Sequence, residues 1–277
     1  MREDSFKGVG DLKIFFRSWA PGGRARAVLV IVHGFNSHSG QYRWVADRFQ
    51  ASGYAVYALD QRGRGRSEGD RFYIEKVADY VEDVATFVAL AKSREPGLPV
   101  FVLGHSAGGV ISCVYALEHQ AQIAGLICES FAFKVPAPDL VLTILKGLSH
   151  FVPRLPVLKL PNAGFSRDPK VVESMNSDPL IAKEIQPAIT VAALVRANER
   201  IKQEFPLIKL PVLILHGAAD KVTLPAGSQF FHDTAGSADK TLKLYPDNVH
   251  DLLNDIGKEK VIADIMGWMS ARLGAGS

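Results

Sequence analysis

Five short stretches are apolar along almost their whole length: AVLVIV (27–32), YAVYAL (54–59), PVFVLG (99–104), IAGLIC (123–128) and PVLILHG (211–217). Successive residues of a strand face opposite ways, so a strand apolar throughout must be covered on both faces. That requirement predicts a mostly parallel sheet with helices on either side. A sixth run, TLKLY (241–245), alternates and suits a more exposed edge. Helical periods lie between the runs. Val77, Val81, Val84, Val88 and Ala91 share one face, as do Tyr42, Val45, Ala46 and Phe49, followed by Gly53 as a C-cap. Val261, Ile265, Trp268 and Arg272 form a third stripe, with only its last position polar. The β–α–β–α order predicts a doubly wound sheet with right-handed crossovers.

Residues 133–205 break this rhythm. They hold eight prolines, from Pro136 to Pro187, and no strand pattern, while Val141, Leu142, Leu145, Leu148 and Val152 form a helical apolar stripe. A structureless loop of that length is implausible, so the segment reads as a helical cap inserted into a core of residues 1–132 and 206–277. Leu142, Leu145, Leu148 and Phe151 are expected to pack on the core or line an apolar tunnel, in preference to docking on a membrane.

The 277 residues are 47% hydrophobic, enough for one large domain or one domain with an insertion. A net charge of +3 gives no footing for nucleic acid or an acidic partner. Arg62, Arg64 and Arg66, followed by Glu68 and Asp70, read as a charged surface turn. Cys113 and Cys128 sit in apolar surroundings without metal-ligand spacing, and read as small core residues in a reducing compartment. The N-terminus MREDSFKGVG lacks the apolar stretch of a signal peptide, and no run reaches the ~20 apolar residues needed to span a bilayer. A cytoplasmic protein is expected, with the tail LGAGS frayed. Oligomeric state is not legible.

The polar Ser106 stands between glycines at the end of one apolar run. Gly104-His105-Ser106-Ala107-Gly108 fits G-x-S-x-G, a weak motif alone. Here a buried strand precedes it and a helix-compatible run follows, the setting of a nucleophile elbow. A serine hydroxyl needs a base, and the base needs an orienting acid. In this arrangement they follow in the order acid, then histidine, each just past a strand. Asp220 follows PVLILHG and His250 follows TLKLY. Asp247, Asp251 and Asp255 compete for the acid's place, but close sequence neighbours rarely reach the same imidazole nitrogen. His33, His105 and His216 suit packing or supporting roles. Two backbone amides are expected to bind the oxyanion, those of Ala107 and of Phe35 in the loop after the first run.

These pieces resemble the monoacylglycerol lipase group of α/β-hydrolases, also called the serine-aminopeptidase-like family. The matching segments are HGFNSHSGQY (33–42), LDQRGRGRSEG (59–69), GHSAGG (104–109), NSDPL (176–180), HGAADKV (216–222) and VHDLLND (249–255). They span nearly the whole chain, cap included. The resemblance implies an α/β-hydrolase fold with a helical cap. It implies a serine hydrolase without metal or organic cofactor, cleaving acylglycerols or related carboxylic esters, and the strongly apolar cap points to monoacylglycerols or similar medium- or long-chain monoesters. It also implies a mobile amphipathic cap able to touch lipid surfaces transiently. Carried over by position, the triad is Ser106, Asp220 and His250, and the oxyanion amides are those of Phe35 and Ala107. Three positions depart from the pattern. Ser37 replaces the usual acidic residue, Gln41 stands where a basic residue is common, and Ala107 stands where methionine is common. The first two would otherwise help hold a glycerol headgroup, so monoglyceride preference is left open and the substrate-binding residues are unassigned. A carboxylesterase for short or synthetic esters is the nearest rival. A peptidase reading is weaker, and a non-catalytic binding protein on the same scaffold is the rival of another class.

Overall fold

A computed structural model describes residues 1–274; the last three residues of the LGAGS tail lie outside them. Eight strands form one sheet in the order β1-β2-β4-β3-β5-β6-β9-β10. The five apolar runs become β3 (Val28–Val32), β4 (Ala55–Leu59), β5 (Val100–His105), β6 (Gly125–Glu129) and β9 (Val212–Gly217), every residue buried. They pair in parallel, and β10 (Lys240–Tyr245) joins them in parallel at one edge, largely half-exposed as its alternation requires.

Strand alternation divides the core. Val28, Val30 and Val32 face α2 (Val77–Arg94) and α3 (Ala107–His119). Leu29 and Ile31 face α1 (Arg43–Ala51) and α8 (Lys258–Ser270). The expected doubly wound sheet is thus present. The opposite edge, an antiparallel pair β1 (Arg2–Lys7) and β2 (Lys13–Trp19), went unread. Its first strand, REDSFK, buries only Phe6, so no apolar run announces it.

Residues 133–205 hold α4 (Asp139–Leu148), β7 (Pro156–Leu158), α5 (Pro169–Ser177), β8 (Gln186–Pro187) and α6 (Ala188–Glu204). The strandless reading of this segment is corrected, because β7 pairs antiparallel with β8. A ladder this short, with proline in both strands, leaves no alternation to see. Helix α6 packs on α3 and sends Ala193, Leu194, Ala197 and Ile201 into the main core. Helix α4 leans on α6 and buries no residue. The expectation that its stripe packs inward is overturned in part. Leu142 and Leu145 are half-buried, whereas Val141, Leu148 and Phe151 are exposed, Phe151 by 86%. The stripe is wider than the single helix face that covers it.

The surface-turn reading of the arginine cluster is also overturned for two of its three members. Arg62 and Arg64 are buried, and only Arg66 reaches solvent. Gly63 (φ 69°) and Gly65 (φ 51°) turn the chain so that these side chains point inward. Arg62 grips Asp83 with two bonds of 2.7 Å. Arg64 pairs with Glu184, donates to Gln186 at 2.7 Å, and stacks 4.4 Å over the Phe35 ring. Buried cations are tolerated only with such partners.

Helix α3 begins so close to β3 that a methyl group on Gly108 would collide with the Val32 and His33 carbonyl oxygens. Backbone cannot yield as a side-chain tip can. Gly108→Ala is expected to cost about 3 kcal/mol of stability. Equilibrium urea unfolding checks this, and an unchanged midpoint would contradict the close approach.

Candidate active site

Between β5 and α3 the chain turns on a single residue. Ser106 adopts φ 54° and ψ −121°, a region that side chains other than hydrogen disfavour. The conformation persists because both sides are fixed. Ser106 N–H donates to the Glu129 carbonyl at 3.0 Å, and its carbonyl accepts from Gly109 and Ala132, each at 3.0 Å. The turn lifts the hydroxyl above the carboxyl ends of the strands.

His250, on the loop after β10, is fully buried and reaches this hydroxyl. Its Nε2 accepts from Ser106 Oγ at 2.9 Å, and its Nδ1–H donates to Asp220 Oδ2 at 2.8 Å. Phe165, from the inserted segment, sets its ring edge-on to the imidazole with centroids 5.0 Å apart. The three side chains singled out in the sequence are therefore brought together in the expected order.

Asp220 is held by more than His250. Its Oδ1 accepts the Val222 and Thr223 amides at 2.7 and 3.1 Å, and its Oδ2 accepts Thr223 Oγ1 at 2.9 Å. His216 Nε2 lies 3.1 Å away and is itself anchored at 2.7 Å to Ser228. Burial raises the Asp220 carboxyl, but hydrogen bonds from His216 and His250 outweigh it and hold the group well below the usual carboxylate range. Two of the competing aspartates are engaged elsewhere, and Asp247 points to solvent. Asp255 binds Arg167, Asn248 and the Val249 amide, while Asp251 accepts from Asn254 at 2.9 Å.

The loop after β3 passes directly against the elbow. A methyl group on Gly34 would stand 2.7 Å from Ser106 Cβ and 3.3 Å from the Ala107 nitrogen. Among the described residues, neither the Phe35 nor the Ala107 amide donates to a protein acceptor. His33 pins this loop, donating from Nδ1 to the Gly34 carbonyl at 2.7 Å and accepting the Gln61 amide at 3.0 Å. Burial pushes His33 down to about 3, so it stays neutral. Two further ties reach the inserted segment. Asn36 donates to Asn162 at 2.8 Å, and His38 donates to Asp178 of the NSDPL motif at 2.7 Å. Gln41 lines a cavity of about 210 Å³ with Lys170, Ser174, Met175, Asp251 and Asn254.

Under the site lies a feature the sequence reading missed. His105 contacts Glu129 in a wholly buried pair, and its ring centroid lies 5.0 Å from that of His250. Burial opposes a charged ring, but the facing Glu129 carboxylate prevails, aided by Asp251 and Asp220, and pushes His105 up to about 9. The available signal was a lone glutamate closing the apolar strand GLICE. His105, Glu129 and Asp251 also bring metal-capable donor atoms within 4.8 Å of one another. Both Glu129 oxygens are already bonded there, to His105 and to the Leu252 amide. Cys113 and Cys128 are free and buried, with sulfurs 3.5 Å apart, as small core residues should be.

The model of the family described as serine aminopeptidase, S33, matches residues 23–257. The chain belongs to that family. It is 35% identical over 274 residues to a monoacylglycerol lipase of Mycolicibacterium smegmatis, covering 98% of each chain. It is 32% identical over 264 residues to the human monoglyceride lipase, covering 94% of this chain and 87% of that one. The solved monoacylglycerol lipase of Paleococcus ferrophilus superposes with a TM-score of 0.84 at 27% identity, covering 94% of this chain and 99% of that one. The α/β-hydrolase fold and the expected class, a carboxylic ester hydrolase, are both borne out.

The His105–Glu129 pair carries a stability prediction. A histidine raised by folding stabilises the protein fully below its unfolded value, about 6.5, and that contribution is lost as pH rises through about 9. Chemical denaturation should therefore show stability falling by up to about 3 kcal/mol over that window. Glu129→Gln should flatten the fall. A wild-type curve already flat there would contradict the charged pair.

Proposed function

We propose that this hydrolase cleaves monoacylglycerols or similar medium- to long-chain monoesters through an acyl-enzyme on Ser106. The observation that carries the reading is the continuous chain of hydrogen bonds from Ser106 Oγ through His250 to Asp220, at 2.9 and 2.8 Å. In the first half-reaction His250 Nε2 takes the hydroxyl proton as Oγ attacks the ester carbonyl. Asp220, ionised throughout, stabilises the imidazolium. The tetrahedral oxyanion is received by the Phe35 and Ala107 amides, whose freedom from protein acceptors supports this role. His250 then protonates the departing alcohol. Water enters, gives a proton to His250 and adds to the acyl carbon; the acyl–Oγ bond then breaks, His250 returns the proton to Ser106 Oγ and the acid departs.

The substrate class rests on three supports. The relatives named above are lipases of monoacylglycerol by name. The cavity beside Asp251, the residue after His250, offers Gln41, Lys170, Ser174 and Asn254 to a polar alcohol. The exposed face of α4 suits a lipid substrate. The family's description also names an aminopeptidase, which would need a carboxylate for a substrate ammonium. Here Asp220, Asp255 and Asp178 are bonded to His250, Arg167 and His38, which leaves Asp251 as the carboxylate open to one, and the ester is favoured by the relatives' names.

Residues 133–205 act as the cap in this reading. Leu140, Val141, Ile144 and Phe151 present an exposed apolar face, with Lys146, Arg154 and Lys159 near it in sequence, suited to transient contact with an anionic lipid surface. Among the described residues no helix is long and apolar enough to cross a membrane. The free Cys113 and Cys128 support a reducing, cytoplasmic setting.

Ser106→Ala should abolish labelling by a fluorophosphonate and lower kcat roughly 10⁶-fold. A series of monoacylglycerols, short p-nitrophenyl esters and amino-acid anilides should show the highest kcat/KM on the monoacylglycerols. Undiminished labelling of Ser106→Ala, or a preference for the anilides, would overturn the reading. For the cap, Leu140→Asp with Phe151→Asp should reduce co-sedimentation with anionic phospholipid vesicles and leave hydrolysis of a soluble short ester unchanged. Vesicle binding equal to wild type would remove α4 from the lipid contact.

A further inference from the structure

Glu129 has no place in the reaction steps above, yet three bonds radiate from it. It closes β6 with no exposed surface. Its carbonyl accepts the Ser106 N–H at 3.0 Å. Its Oε1 accepts the Leu252 N–H at 2.8 Å, two residues beyond His250. Its Oε2 lies in hydrogen-bonded contact with His105, the residue before Ser106. One residue thus grips the turn that carries the hydroxyl and the loop that carries the imidazole. We propose that Glu129 is a positioning residue, whose carboxylate fixes the His250 loop against the Ser106 turn and so holds the imidazole in reach of the hydroxyl.

The other ties on that loop show why this one matters. Ahead of His250, the Asn248 carbonyl accepts the Ala219 N–H at 3.1 Å, which binds the loop to the end of β9. Behind it, the Asp251 N–H donates to the Phe165 carbonyl at 2.8 Å. Phe165 belongs to the inserted segment, so that bond follows any movement of the segment. The Glu129–Leu252 bond instead ties the far side of the loop to the sheet. With it, His250 is pinned to the sheet on both flanks.

The chemistry explains a carboxylate at this position. An ionised acceptor bonds a backbone N–H more strongly than a neutral one. An ionised group without solvent needs a counter-charge. His105 supplies it from the neighbouring strand, directly opposite in the β5–β6 register. The pair is thus neutral as a unit and can sit beneath the site without a net charge of its own.

The inference rests on the Ser106–His250–Asp220 relay, and its test separates the two. The full chain is assayed on a short p-nitrophenyl ester. Glu129→Met keeps the side chain's length and removes the acceptor. It should lower kcat about 10²-fold with KM changed less than about twofold, the signature of a misplaced group. Glu129→Gln keeps an oxygen for Leu252 and should restore kcat to within about fivefold of wild type. In a His250→Ala background, Glu129→Met should cause no further loss, because a positioning residue has nothing left to position. Wild-type kcat in Glu129→Met, no rescue by Gln, or an equal loss in both backgrounds would overturn the inference. A His250→Ala enzyme of wild-type activity would instead overturn the relay. Should Glu129→Met fail to fold, hydrogen exchange at the Leu252 amide of Glu129→Gln decides. Protection retained with kcat within about fivefold of wild type supports the tie, and loss of kcat, or kcat kept without protection, overturns it.

Discussion

The close approach of α3 to the end of the sheet is the constraint from which the rest of the site follows. Without side chains at Gly104 and Gly108, the helix can begin against β3 and β5. The chain can then reverse on one residue, and that residue takes the left-handed conformation. Strain at Ser106 is sustained by hydrogen bonds on both sides of it, to the end of β6, the first turn of α3 and the Ala132 amide. A looser junction would let the serine relax, and its hydroxyl would leave the plane of the imidazole. Catalytic geometry here is thus a product of packing between regular elements, with loops contributing only the partners.

Much of this was legible in the residues. Apolar runs on both strand faces have few folded solutions, so β3, β4, β5, β6 and β9 could be read directly. Ser106, Asp220 and His250 could be read because each follows a strand, and the strands already had an order. What stayed hidden depends on partners distant in sequence. Arg64 looks like any surface arginine until Glu184 and Gln186, some 120 residues later, are seen to enclose it. The β1–β2 edge carries charge on most of one strand, because an edge has little to bury. Glu129 was concealed by its own strand. Its neighbours are apolar, and its two oxygens are satisfied by His105 and Leu252, which no local pattern associates with it.

Stability is distributed unevenly between the two parts of the molecule. The sheet and its helices hold two large apolar clusters. The inserted segment has a cluster of its own only around Phe165, Met175 and Ile181. Helix α6 anchors it in the main core, and the rest is held by polar ties, from Asn36, His38 and Arg64 on the core side to Asn162, Asp178 and Glu184. Elements with few buried apolar contacts open most readily. Helix α4 is the extreme case, with no buried residue, and it exposes Leu140, Val141, Ile144 and Leu148.

The guanidinium of Arg64 stands between the Phe35 ring on one side and Glu184 on the other. It therefore couples the loop after β3 mechanically to the root of α6. Breaking such a buried ion pair costs on the order of 3–5 kcal/mol. A hinge that swung all of residues 133–205 outward would have to meet that cost and would disturb Phe35 as well. Compliance belongs instead to the stretch around α4, and the fulcrum lies ahead of residue 184. The α4 stretch, which buries no residue, can then yield while the Phe35 loop keeps its shape.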